Sequence, residues 1–570
     1  MESVKPNTSE NTMIKVLWAF VFLSPFIIGG FHVVISCVYS LFLLVFLCVY
    51  SVVKGSLSLK LSLPVIMSTV ILAGYLITGF WAVDSGLAIF GFFKYLPVVL
   101  FAVCISGTSN SEREYLLSAV PVSGAVMTLV SYPLSFFDSI SKYFLVSGRL
   151  GGFFQYPNTY AVFCLLGIII LLTKQRIGVK EGALSLVLLG GVFLSGSRTV
   201  FVLLLLTAAV LVFRIKNKKH KFIIIGAVAA ALVLSLITVI VTDSVQNAGR
   251  FITISLNSST FLGRVLYFVD ALPIILKHPF GLGYGGYYYA QQEFQTGVYS
   301  VMFAHNDVLQ YLLDIGWIPA IVFSAGVVIS FFSKRVDFTK KFLLFILFSH
   351  IMFDFDLQFT AMNFVLLLLL DWDAFTVKNF EPKVLPVGIL SGVLVVPVIF
   401  FGIVNFYSLT KNYSAVDKLY PFDTQAQTQL MIEAGYSDTA VDYATAIIKR
   451  NDYSAVAHTV LANKKYSQGD IAGYIEERSR AIEISKYSIE EYNDFAFKLV
   501  AASQQYRAYG DVESAKYCEN EILKLEEILS NVEKETNPIA WKIADKPELV
   551  LDGQIGEYIN LIKEQEGEDE

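Results

Sequence analysis

Apolar residues along this chain come in long runs that stop at short clusters of Gly, Ser, Lys and Arg, not at alternate or every third or fourth position. About 20 such residues are what an α-helix needs to cross the hydrocarbon core of a bilayer. On that basis the pattern predicts thirteen spanning helices, near 14–31, 33–53, 61–81, 87–105, 114–137, 156–173, 182–195, 199–213, 222–242, 307–332, 342–354, 358–371 and 385–406. The apolar stretch 182–213 is divided at Ser195, Gly196, Ser197 and Arg198, which suit an interfacial turn better than a helix centre. The longest connection, 243–306, is rich in Gly and Tyr rather than charge (HPFGLGYGGYYYAQQ). Loops of that size are functional or disordered. Disorder calls for low hydrophobicity and high charge, so this loop is expected to be ordered and to face a substrate.

After residue 406 the pattern becomes that of soluble helices. Gly435 and Gly469 lie 34 positions apart, each at the start of a helical segment with Ala at packing positions, and Gly510 follows after 41. Thirty-four residues is the tetratricopeptide period. The expected architecture is therefore all-α: a polytopic membrane domain of about 12–13 helices over 1–406, a tetratricopeptide-like helical domain over 407–540, and a partly disordered acidic segment over 541–570.

Composition agrees and adds orientation. The chain is 55% apolar and 16% charged, with a mean hydropathy of +0.60, against roughly 25% charged in soluble proteins. Residues 1–406 carry 26 Lys+Arg and 18 Asp+Glu; residues 407–570 carry 17 and 30, a net charge of −13. No basic stripe exists for nucleic acid. Cys37, Cys48, Cys104 and Cys164 lie in apolar runs and Cys518 stands alone, so neither a disulfide framework nor a zinc pattern is present. Alternate loops hold 19 basic residues and the opposite loops six. By the positive-inside rule, this puts the N-terminus in the cytoplasm of a multi-pass cell-membrane protein, with the first span retained as an anchor. The odd span count then puts the tail outside.

Three of the six outer cations are where chemistry is expected. Arg149, Arg198 and Arg264 oppose the charge bias, which suggests an anionic partner; the planar guanidinium suits phosphate. The competing reading is that each reaches for lipid headgroups. His305 is the acid–base candidate, with Asn306 and Asp307 beside it to orient it. His350, with Asp354 and Asp356 beyond it, is a second candidate, read as a structural pair supporting the outer site. Lys94, inside the fourth span, is either another phosphate ligand or a snorkelling residue. Asp371 and Asp373 imitate metal-binding carboxylates, but a helix-end cluster explains them, and no phosphate loop or metalloenzyme motif occurs. A metal-free, cofactor-free mechanism is favoured.

Three stretches, GRLGGFFQYPNTYAVFCLLGIIILL, FLSGSRTVFVLLLL and GRVLYFVDALPIILKHPFGLGYGGYY…AHNDVLQYLLDIGWIPA, occur in an order that resembles the O-antigen ligase and polymerase superfamily. The resemblance spans 148–320 and, by helix count, most of 1–406. It implies a GT-C-like membrane fold and an inverting glycosyltransferase that uses a polyprenyl-diphosphate-linked glycan. Arg149, Arg198 and Arg264 would hold the diphosphate and His305 would activate the acceptor hydroxyl. Tyr287, Tyr288 and Tyr289 would stack on sugars, or else form an interfacial belt. The acceptor is a lipid, protein or glycan for a ligase, the favoured reading, and another lipid-linked repeat for a polymerase. The tail would bind a protein partner or the acceptor. A flippase for the same lipid-linked glycan is the rival class, although transporters place polar groups near the midplane in paired repeats. A scaffold that recruits envelope proteins would leave Arg264 and His305 without a task.

Overall fold

The computed structural model describes residues 8–174, 177–214, 221, 226 and 257–569. The protein is an all-α polytopic membrane protein; the sheets among the described residues are two short two-stranded pairs. Apart from 226, the predicted span at 222–242 lies outside the described residues; the other twelve fall on helix, although 307–332, expected as one span, is two helices, Asp307–Ile315 and Trp317–Phe332, broken at Gly316 with φ +79°. Val33–Lys54, Ser85–Ser106, Asn110–Leu134, Ser259–Lys277 and Val384–Leu409 are long and apolar enough to cross a membrane. The division at 195–198 is real: Val179–Ser195 ends on Gly196 at φ +59°, and Arg198–Arg214 starts two residues later.

The chain forms two compact units. The first comprises 1–77, 89–255 and 304–406, and the second 78–88, 256–303 and 407–570.

In the first unit, contacts sort the loops as charge did. Leu59–Ser62 pairs antiparallel with Thr376–Phe380. The Arg113 guanidinium lies 5.2 Å over the Trp372 ring, Lys340 Nζ donates to Asn110 Oδ1 at 2.5 Å, and Arg335 Nη1 donates to the Asp373 carbonyl at 2.6 Å. All of these join loops from the basic-rich set. Asp371 accepts the Asp373 N–H at 2.9 Å, which is helix-end geometry. At the other end, the connections containing Arg149, Ser195, His305 and Asp354 meet one another, as described below.

The second unit gathers three pieces that charge placed on one side. Val83 N donates to the Leu282 carbonyl at 2.8 Å, Tyr420 Oη to the Gly86 carbonyl at 2.8 Å, and Asn451 Nδ2 to Asp84 Oδ2 at 3.1 Å. The long connection, expected to be an ordered loop, contains helix: from 259 onward it forms Ser259–Lys277 and Gly286–Phe294. The signal was missed because the buried set, Gly263, Leu266, Asp270, Ala271, Ile274 and Ile275, follows a helical stripe interrupted by polar residues. Both ends of Ser259–Lys277 are held by the tail. Ser259 Oγ accepts the Ala544 N–H at 2.9 Å, and Lys277 pairs with Glu293, which pairs with Arg480. The helix, about 28 Å long at 1.5 Å per residue, therefore lies along the tail.

The tail is built of helix hairpins: Thr424–Ala434 with Asp438–Ile448, Ala455–Ser467 with Ile471–Ile484, and Ile489–Ala508 with Val512–Glu535. Gly435, Gly469 and Gly510 occupy the turn within each, at φ +63°, +78° and +81°, a conformation glycine adopts without steric penalty. The longer third spacing has a simple origin. Ile489–Ala508 has 20 residues where Ala455–Ser467 has 13, an excess of seven that is two helical turns and carries 34 to 41. The acidic end, expected to be partly disordered, forms the helix Gly553–Asp569. Ile555 and Ile559, one turn apart, are buried in the tail's core with Tyr492, Leu499 and Ile522, which offsets the charge around them.

Candidate active site

Arg149 is positioned by a tight hairpin. Leu145–Val146 pairs with Arg149–Leu150 across Ser147 and Gly148, whose φ values of +50° and +72° make a turn of the I′ kind. Arg149 Nε donates to the Ser195 carbonyl at 2.7 Å, and Nη2 donates to Asn158 Oδ1 at 2.7 Å. The guanidinium thus ties the 145–150 hairpin to the turn before Arg198 and to the start of Pro157–Leu172.

Asn158 passes the connection on. Its Nδ2 donates to Asp354 Oδ2 at 2.7 Å, while Tyr156 Oη donates to Asp354 Oδ1 at 2.7 Å and Phe355 N to the same oxygen at 3.1 Å. His305 Nδ1 lies 3.4 Å from Asp354 Oδ1. That is slightly longer than a well-formed hydrogen bond, and such bonds often tighten only when substrate is bound. Asp354 is buried, its side chain 1% exposed, whereas that of His305 is 21% exposed. The imidazole also packs edge-on to Phe355, 4.9 Å between ring centres, and Phe355 packs on Tyr156 at 4.7 Å. His305 has a φ of +52°, a left-handed conformation that costs a non-glycine residue of order 1–3 kcal/mol and persists only where its surroundings enforce it.

Those surroundings differ from the sequence expectation. Asn306 and Asp307 do not orient the imidazole. Asn306 caps the helix Asp307–Ile315, accepting from Val308 N and Leu309 N at 3.0 Å, and Asp307 accepts from Leu357 N at 2.9 Å. One turn on, Gln310 accepts the Ala304 N–H at 2.9 Å and donates to Asp314, which in turn accepts from Tyr75. This buried stripe at 307, 310 and 314 therefore holds both the residue before His305 and the turn after Asp354. His350 does not pair with Asp354 either. Its Nδ1 lies 2.5 Å from Asp356 Oδ2, both side chains fully buried, and Thr159 Oγ1 donates to Asp356 Oδ1 at 2.6 Å.

Lys94 is buried and does not snorkel: its ammonium donates to the carbonyls of Gly30, at 2.7 Å, and Phe31. Arg198 is the first residue of Arg198–Arg214 and is half-buried. A cation there opposes the helix dipole, so its position does not serve the helix. Tyr156, Asn158 and Gln310 escaped sequence reading. The first two flank Pro157, a helix-start signal, at the mouth of the span after Arg149, and that was the one clue available.

The second unit holds the remaining candidates. Arg264 is half-buried on Ser259–Lys277. Tyr287 is fully buried and offers no face to a sugar, which removes it as a stacking platform. Tyr288 is half-buried and packs edge-on to Tyr289 at 5.3 Å.

Chemically, the first unit offers a solvent-reachable imidazole backed by a buried carboxylate, and an arginine one amide away. Both Asp354 and Asp356 have their oxygens engaged by side-chain or backbone partners. Comparison with curated proteins gives no match for this chain. Residues 183–324 match the family Wzy_C, described as O-antigen ligase, over a region that includes Arg198, Arg264 and His305. That stretch therefore carries the O-antigen ligase pattern, which supports a ligase- or polymerase-type role for the chain in cell-surface polysaccharide synthesis.

Proposed function

We propose that the protein is a membrane glycosyltransferase of the ligase type, moving a glycan from a polyprenyl-diphosphate carrier to an acceptor hydroxyl at the outer face of the cytoplasmic membrane. The observation that carries this reading is the His305–Asp354 pair joined through Asn158 to Arg149. With Nδ1 turned to the carboxylate, Nε2 accepts the acceptor's hydroxyl proton, and Asp354 stabilises the imidazolium that forms. The acceptor oxygen bonds to the anomeric carbon as its bond to the phosphate oxygen breaks. The electron pair leaves with the diphosphate, and attack from the opposite face inverts the centre. Arg149, Arg198 and Arg264 stabilise the charge that grows on the leaving group. No metal is needed in this scheme, since the leaving group is already met by guanidinium.

The tail, read as tetratricopeptide-like from its 34-residue hairpin period, belongs outside the cytoplasm. Its bonds to 84–86 support this independently of the span count, because that loop's side is fixed by the first three spans alone. The test is transfer by purified protein from a defined polyprenyl-diphosphate oligosaccharide, in metal-free buffer. Transfer to a glycan, lipid or protein hydroxyl is expected. Elongated lipid-linked product would make the enzyme a polymerase, and translocation across liposomes without bond formation would overturn the reading.

A further inference from the structure

The helix that carries Arg264 is completed by the far end of the chain. Leu266 on Ser259–Lys277 is fully buried in a small apolar cluster with Tyr299, Ala540 and Ile543, and Leu262, Tyr267 and Ile539 pack around it. Two of the four buried members thus come from the tail. Polar bonds fix the same contact. Asn537 N donates to the Thr296 carbonyl at 2.9 Å, and Thr296 donates to Asp270, on the Arg264 helix, through its N–H at 2.8 Å and its hydroxyl at 2.6 Å. Tyr299 Oη adds a third donor to Asp270 at 2.9 Å. At the helix start, Ala544 N donates to Ser259 Oγ at 2.9 Å. The fit is close: a Cβ on Gly297 would stand 2.6 Å from Ala540 Cβ.

We infer that residues 537–544 are a positioning element for Arg264. They fix the axial position and rotation of Ser259–Lys277, so that the guanidinium is pre-set for the donor's diphosphate instead of being ordered by it. The inference rests on the assignment of Arg264 to the donor made above. A side chain held beforehand loses less freedom on binding, so loosening the clamp weakens donor engagement and leaves the acceptor untouched. In this view the tail is part of the donor site, not an appendage to it.

The test uses the full-length protein and the contact at Gly297. Gly297→Ala adds one methyl group 2.6 Å from Ala540 Cβ and 2.9 Å from Leu266 Cδ2; Ala540→Gly removes the first of these and leaves only a flexible side-chain end to give way at the second. Gly297→Ala is expected to raise the donor KM roughly tenfold, about 1.4 kcal/mol, with acceptor KM unchanged and with faster amide hydrogen exchange in 259–277. Gly297→Ala with Ala540→Gly is expected to restore the donor KM to within about threefold of wild type. Ser259→Ala, which deletes an acceptor without adding an atom, is the gentler break and is expected to shift donor KM in the same direction. Arg264→Ala is the reference. If it raises donor KM while Gly297→Ala and Ser259→Ala loosen the helix without doing so, the positioning inference is wrong and the donor assignment stands. If Arg264→Ala leaves donor KM unchanged, the donor assignment fails and takes the inference with it.

Discussion

The Asp354 carboxylate receives Tyr156 and Asn158 at 2.7 Å each, on separate oxygens, and holds His305 Nδ1 at 3.4 Å. A buried carboxylate so placed favours the tautomer with its proton on Nδ1 once the contact tightens to a hydrogen bond. Asp354→Asn keeps the volume and removes the charge. It is expected to lower kcat by about 10²-fold or more, the scale of losing an oriented acid–base, with donor KM little changed. A loss under about threefold would show that His305 works without its carboxylate.

His305 stands at φ +52°, so its replacement has a conformational as well as a chemical side. Asn tolerates the left-handed region better than most residues. His305→Asn is expected to match the thermal midpoint of the wild type while losing about 10²–10⁴-fold in turnover. His305→Ala should lose the same turnover and some stability as well. Near-normal turnover in either variant would move the base assignment elsewhere, with His350 and Asp307 next in line.

Arg149 bonds two acceptors with one planar group, the Ser195 carbonyl and Asn158. Lysine presents a point charge and cannot reproduce that fork. Arg149→Lys is expected to cost about 1.5–3 kcal/mol, the range for a hydrogen bond to a charged group, read as roughly ten- to a hundredfold in kcat/KM. Full activity in the Lys variant would reduce Arg149 to long-range attraction of an anionic donor.

In the tail, Glu519 is buried and accepts from Arg507 Nε at 2.9 Å, Arg507 Nη2 at 2.7 Å and Ser503 Oγ at 2.6 Å. Burial alone would push its carboxyl up, but the bonds from Arg507 and Ser503 together outweigh burial and hold it below the ordinary value of 4.5. A carboxylate lowered in the folded state contributes stability that is present above its unfolded value and disappears as pH falls through the folded one. The midpoint gap between wild type and Glu519→Gln should therefore be largest at neutral pH, narrow once pH falls below the ordinary value of 4.5, and vanish below the lowered one. A gap that stays constant down to pH 3 would mean that this ion pair does not carry the difference.

The spans were legible because unbroken apolar runs leave few alternatives, and Arg149 and His305 stood out because polar groups at a membrane face need a reason. Their partners were not legible. Asp354 serves His305 rather than His350, since the choice depends on how the helices Phe338–Ile351 and Asp307–Ile315 pack, which no local pattern records. Tyr287, read as a possible sugar platform, is fully buried. Composition could not separate it from its half-buried neighbours Tyr288 and Tyr289. The helix Ser259–Lys277 was lost in a loop because Gly263, Arg264 and Asp270 interrupt its apolar face, and the tail residues that cover that face lie far along the chain.

That distance also sets an order of assembly. Ala540 follows Leu266 by 274 positions (540 − 266). At about 5–20 residues per second on the ribosome, roughly 14–55 seconds separate the emergence of Leu266 from that of the residues that cover it. During that interval Leu262 and Leu266 lack their tail partners, Ala540 and Ile543, while membrane helices that follow, such as Trp317–Phe332 and Val384–Leu409, are still being made. The Arg264 helix thus cannot reach its final surroundings before the tail has been made. Completion of the Arg264 helix's surroundings is thereby tied to completion of the chain, so a nascent or truncated product that ends before Asn537 carries His305 and Arg149 but leaves Arg264 on an unfinished support.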